Sequence, residues 1–464
     1  MAETGTDAPR LEDIQALVLR DYRMPSLTIL VLEVRDAAAA RAWLGALAVS
    51  AAAPWPLTSD HHVNVGLTAE GLRSVGLPQE SIESFPEEFL AGAAARAGDI
   101  GDTGDQGPEQ WIGAFGTGAA HAVLTVYGSS RDVVSVAVGA LLASPGCAAA
   151  VALLSRHDGD AINGSNITHF GYREGLSAPT IEGLPAPLLP GPQPVAPLGE
   201  FVLGHPSQHN GFTYPVPQPA LLGVNGTYFV FRISERDVAG FEQFLQSVSA
   251  QTGLSVEQVA AKLMGRWRNG VPLALSPDTD TPAEPIALEK MNDFDYVDDP
   301  RGERSPIGAH IRRVNPRGAR IAGGGGDLHR LVRRGMPYGP AYDPTKGDDG
   351  EKRGSLSLFF NVSIADQFEF VMKEWIEGDT FAAGLRGSKC PISGANDPAS
   401  SNFYLSPPGK DRTKLSGFGR FSTTRGGAYC FMPSLSALRW LGTLTPPPVL
   451  SDATTLPTGL AREL

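Results

Sequence analysis

Cysteine is scarce. Only Cys147, Cys390 and Cys430 occur in 464 residues, too few and too widely spaced for a disulfide framework or a thiolate-rich metal site. With no C-x-x-C present, unpaired thiols point to a reducing compartment, and a cytoplasmic protein is expected. The chain also lacks a basic and apolar leader, and no uninterrupted apolar run approaches the ~18 to 20 residues that cross a bilayer. Positive charge is in deficit, with 38 basic against 50 acidic side chains and a net charge of −12. Nucleic acids and anionic membrane surfaces both require clustered Lys and Arg, so neither is an expected partner. Missing as well are H-E-x-x-H, G-x-S-x-G, C-x-x-C-H and G-x-x-x-x-G-K-[ST], which removes the zincin, α/β-hydrolase, covalent-haem and P-loop readings.

What is present is a globular composition, 42% hydrophobic and 19% charged, with 54 glycines and 38 prolines. That much Gly and Pro, well above the ~12% usual in globular chains, implies long loops. The densest punctuation, residues 183–199 (GLPAPLLPGPQPVAPLG), reads as a linker between a half spanning 1–199 and a half spanning 200–464, with a Pro-rich tail from about 445. On both sides a short β-rich run is followed at once by a capping residue and an amphipathic segment. The copies are residues 28–34 before 36–47, 122–127 before 130–142, 228–233 before 235–245, and 356–362 before 364–375. Two strand-to-helix units per half look like a duplication, giving an α+β fold in which two antiparallel sheets pack face to face. A doubly wound parallel α/β fold is the alternative. Against it, the glycine run 323–326 is not a G-x-G-x-x-G closing a strand.

Two polar regions combine charge, glycine and aromatic residues: 168–179 (THFGYREGLSAP), and 308–317 (GAHIRRVNPR) followed by 328–340 (LHRLVRRGMPYGP). These strings resemble those of the dye-decolourising peroxidases, in particular the larger cytoplasmic bacterial class. Residues 13–22, 201–205, 262–267, 367–375 and 426–438 are similar too, so the likeness spans nearly the whole chain. It implies two ferredoxin-like halves of the dimeric α+β barrel superfamily, the first carrying a distal G-x-x-E-G loop and the second binding one haem b.

The resemblance also implies roles for individual residues. His310 matches the proximal ligand of the haem iron, a position suited to an imidazole nitrogen. Glu369 matches a carboxylate that accepts a hydrogen bond from that histidine and raises its basicity. Arg333 matches the distal arginine, whose permanent charge stabilises the charge developing as a peroxide bond opens. Glu174 stands where the family has aspartate. It keeps the proton-shuttling carboxylate while moving it by roughly an ångström. Leu358 and Phe360 match residues walling the distal pocket, and Arg312 and Asn315, flanking His310, are expected near haem propionates. The implied activity is a haem peroxidase that uses hydrogen peroxide, through an oxo-ferryl state, to oxidise dyes, phenols or other organic donors. A haem-handling protein without catalysis and a peroxide-dependent oxygenase on the same scaffold are the alternatives. Self-association stays open.

Overall fold

The computed structural model describes residues 10–444 apart from 55–56, 185–194, 320, 322–325 and 407–410. Most of the proline-rich linker and the whole expected tail lie outside the described residues. The first half contributes β1 (Ser26–Val34), α1 (Ala37–Ala46), β2 (His61–Leu67), β3 (Ala122–Gly128), α2 (Arg131–Leu142) and β4 (Val151–Asp160). The second contributes β5 (Thr227–Arg236), α3 (Val238–Thr252), α4 (Val256–Met264), α5 (His310–Val314), β6 (Val332–Tyr338) and β7 (Gly354–Asn361). Beyond these come a helical stretch over Ile364–Glu369 and Val371–Ile376, a hairpin of β8 (Asn402–Leu405) and β9 (Thr413–Ser416), β10 (Ser422–Met432) and α6 (Leu435–Thr443).

Each expected strand-to-helix switch is set by a capping side chain that takes up an orphan backbone donor. Asp36 accepts from the Ala39 amide at 2.7 Å, Ser130 from that of Val133 at 3.2 Å, and Asp237 from that of Gly240 at 2.8 Å. The third strand runs three residues further than the sequence pattern indicates, because Ser234, Glu235 and Arg236 still pair with Thr424, Thr423 and Ser422 of β10. The fourth expected helix is π-helical, not α-helical, over Ile364–Glu369 and Val371–Ile376, with Ser363 as its cap. Its wider turn rotates each side chain away from the face a 3.6-residue period assigns.

The strand order is β4-β1-β3-β2-β10-β5-β7-β6. Within each half it reads fourth, first, third, second, so the duplication is real at the level of topology. The expectation of two sheets packed face to face is corrected in one respect: there is a single eight-stranded sheet, joined where Phe431 of β10 pairs with Leu67 of β2. Its two edges approach each other, since a Cβ placed on Gly159 of β4 would lie 2.8 Å from the Pro337 carbonyl oxygen of β6. One face therefore encloses a core shared by both halves, with Leu27, Ile29 and Val123 meeting Phe229, Phe231, Leu358 and Phe360. Helices cover the other face.

Phe231 is fully buried in that shared core and packs on Phe115 of the first half at 5.4 Å between ring centroids. Phe231→Ala is expected to cost about 3–5 kcal/mol of unfolding free energy, measured by urea titration. A loss below ~1 kcal/mol would show that the halves do not depend on a common core.

Candidate active site

A cavity of about 420 Å³ lies between the outer face of the second-half sheet and the helical layer over it. Its sheet wall carries Arg236, Arg333, Ser355, Ser357 and Phe359, and its helical wall carries Met264, His310, Val314, Asn315, Val371 and Met372. The loop holding Glu174 closes one end.

His310 opens the short α5, which can lie close to α4 because α4 ends on Gly265 in the left-handed region at φ +95°. A Cβ there would come within 2.5 Å of Ile311, so only glycine fits. Arg313, fully buried, donates to the carbonyls of Trp375 at 2.5 Å, Gly378 at 3.0 Å and Ser388 at 2.5 Å, and so ties α5 to the neighbouring helical stretch. The His310 Nδ1 lies 3.2 Å from the Cys390 Sγ, which leaves Nε2 for the cavity. Burial first, and then the charges of Arg236 and Arg333, push the imidazole down to about 3. A neutral ring with a free lone pair is the form that binds a metal.

On the opposite wall, Arg333 Nη1 donates to Glu174 Oε1 at 2.7 Å, and its Nε donates to Ser357 Oγ at 3.3 Å. The Glu174 loop is fixed by its backbone. The Glu174 amide donates to the Asn166 carbonyl at 3.0 Å, and Asn166 Nδ2 donates back to the Glu174 carbonyl at 3.2 Å. Gly171 and Gly175, at φ +84° and +77°, supply left-handed turns on either side. His169 also reaches this cavity but is bound to the Tyr338 carbonyl at 2.8 Å. The structure thus brings His310, Arg333, Glu174 and Asn315 to one cavity.

Other expected residues lie elsewhere. Leu358 and Phe360 point into the shared core and are fully buried there. Partners across an antiparallel pair share a face, and Arg333 pairs with Phe359. The cavity side of β7 is therefore Ser355, Ser357 and Phe359, one residue out of step with the apolar pair. Arg312 does not reach the cavity: it is buried against Asp299, at 3.1 Å to its carboxylate and 2.8 Å to its carbonyl, and stacks over Tyr296 at 4.5 Å. Glu369 does not touch His310. Its carboxylate takes a two-pronged bond from Arg96, at 3.0 and 2.5 Å, and another from the Tyr429 hydroxyl at 2.9 Å. Arg334 turns away from Arg333 and donates to the Leu17 and Val18 carbonyls.

Sequence reasoning missed Cys390, Arg236 and the two serines. Alternation counted from Arg333 through its strand partner finds the serines, but nothing in the spacing links Cys390 to a histidine 80 positions earlier. Arg236 ends β5, where the ladder outlasts the apolar pattern. Burial lowers its guanidinium to about 10, with the charge of Arg333 acting in the same direction.

No family model matches the chain. Among curated proteins it is 28% identical to dye-decolorizing peroxidase msp1 of Mycetinis scorodonius, over 92% of this chain and 87% of that one. It is also 28% identical to the multifunctional dye peroxidase DyP2 of an Amycolatopsis strain, over 94% and 97%. Among solved structures it superposes on an ancestral D-type dye-decolourising peroxidase with a TM-score of 0.79 at 25% identity, covering 93% and 99%. A dye-decolourising peroxidase in complex with 2,6-dimethoxyphenol gives a TM-score of 0.79 at 23% identity, covering 94% and 100%, a likeness of fold.

Glu369→Gln is expected to lower the unfolding free energy by about 1.5–3 kcal/mol through the lost charge-assisted bonds, and to leave the absorbance of added haem unchanged. A shifted haem spectrum at unchanged stability would return Glu369 to the histidine.

Proposed function

We infer that the chain is a dye-decolourising peroxidase, similar as it is to members of that family over nearly its whole length, and that it is a haem b peroxidase that reduces hydrogen peroxide and oxidises dyes, phenols or other organic donors. The observation that carries the reading is the pairing of His310 on one wall of the cavity with the Arg333–Glu174 ion pair on the other. No helix among the described residues is long and apolar enough to cross a membrane. Three buried, unpaired cysteines agree with a cytoplasmic setting.

The residues present fit a b-type haem. One imidazole nitrogen is engaged and the other lines a cavity whose walls include Met264, Ile311, Val314, Phe359, Val371 and Met372. His310 would hold the iron through Nε2 and the apolar residues would bury the macrocycle, with Asn315 and Arg236 available to its carboxylates. Haem, when bound, supplies the iron centre at which peroxide is reduced.

The chain's own residues then do three things. His310 stays neutral, so no proton must be expelled before it binds metal. Glu174 accepts the proton of an incoming peroxide at a carboxylate oxygen and returns it to the departing oxygen, which leaves as water. Arg333 is already aimed by Glu174 and Ser357, so its charge faces the separating oxygens without reorganisation. The alternatives differ in outcome, since a haem-handling protein would load haem normally and turn over no donor.

Glu174→Gln is expected to lower kcat/KM for peroxide by about 10²–10⁴-fold and Arg333→Ala by about 10²–10³-fold, both with haem content unchanged. Glu174→Asp retains activity. Steady-state oxidation of 2,6-dimethoxyphenol checks this, and wild-type rates in Glu174→Gln would remove the carboxylate from the mechanism.

A further inference from the structure

A histidine bound to a metal nearly always donates its remaining ring N–H to a carboxylate, a backbone carbonyl or water. Here the atom facing His310 Nδ1 is the Cys390 Sγ, at 3.2 Å. With Nε2 on the iron, the neutral ring carries its proton on Nδ1, so that N–H points at sulfur. Among the described residues no carboxylate is bonded to this ring. Glu369 is held by Arg96 and Tyr429, and Glu377 by the Ala395 amide at 2.7 Å and Lys389 at 2.9 Å.

The contact is built, not incidental. Cys390 is fully buried. Its amide donates to the Ile376 carbonyl at 2.7 Å, and its carbonyl accepts from Gly394 at 3.0 Å and Asn396 at 2.8 Å. The Ser393 amide lies 3.4 Å from the sulfur. Arg313 fixes α5 against the same region through the Ser388 carbonyl. These bonds hold the backbone at both positions, and full burial of Cys390 keeps its thiol against the ring.

We propose that Cys390 is the positioning residue of the iron ligand, giving His310 a weak sulfur acceptor where a carboxylate would otherwise sit. The inference rests on His310 binding haem iron. A carboxylate draws the Nδ1 proton and makes the ring a stronger donor, which stabilises oxidised iron, whereas a sulfur acceptor is weak. Cys390 therefore keeps the ring closer to plain imidazole, weakens the iron–nitrogen bond relative to a carboxylate-backed ligand, and shifts the equilibrium toward the reduced metal. More of the work of opening the peroxide bond then falls on Glu174 and Arg333.

The test compares haem-loaded wild type with Cys390→Ser, nearly isosteric, and Cys390→Asp. The readouts are the iron–histidine stretching frequency of the ferrous protein by resonance Raman and the haem midpoint potential. The frequency is expected to rise and the potential to fall from wild type through Ser to Asp. Wild type matching or exceeding both variants in frequency would overturn the proposal, and if Asp fails to fold, an unshifted Ser variant does the same. An iron–histidine band missing from wild type overturns the ligand assignment itself and the proposal with it, a result distinct from a band that is present but insensitive to position 390.

Discussion

The two-residue period of β5, β6 and β7 is the constraint on which the rest of the molecule depends. One set of alternate residues, Phe229, Phe231, Leu356, Leu358 and Phe360, builds the core that both halves share. The other set, Arg232, Ser234, Arg236, Arg333, Ser355 and Ser357, is thereby turned toward the cavity. The same burial that stabilises the sheet thus obliges its outer face to carry cations and hydroxyls, and the helical layer closes over them. Site and core are two faces of one ladder.

Concentrating guanidinium groups in a closed space raises their desolvation cost, and the structure answers it locally. Arg333 is matched by Glu174, and Arg232 by Asp102 at 2.6 Å. Burial first, and then the charges of Arg236 and Arg333, keep the His310 imidazole uncharged. The arrangement therefore separates two kinds of chemistry by wall: a neutral donor atom among apolar helical residues, and on the sheet side a cation paired with an acid from the loop. The Arg232–Asp102 pair is buried, so removing either partner would leave an uncompensated charge, whereas Arg333 and Glu174 remain partly exposed.

Much of this could be read from the chain. The repeated strand-to-helix switch gave the duplication because capping residues such as Asp36 and Ser130 act locally. The motif likeness brought out His310, Arg333 and Glu174. What escaped has physical reasons. Leu358 and Phe360 carry the pocket-wall role only by motif likeness, and on β7 the apolar alternation turns both into the shared core, with Phe359 opposite Arg333. Arg312 is taken by buried Asp299, and Glu369 by Arg96 of the first half, ion pairs that no local pattern signals. For Glu369 the π-helical winding also changes which way the side chain faces. The joining of two sheets into one rests on a single pairing between Leu67 and Phe431, distant strand ends that no local pattern connects.

The central claim is that His310 grips the haem iron, and chemical rescue tests it most directly. His310→Gly removes the imidazole and leaves a void of matching shape, so haem absorbance can be followed as free imidazole is added. The account predicts that the variant loses the wild-type Soret band and regains it saturably with imidazole. A His310→Gly protein that shows the wild-type spectrum with no imidazole present would place another side chain on the iron and contradict the account.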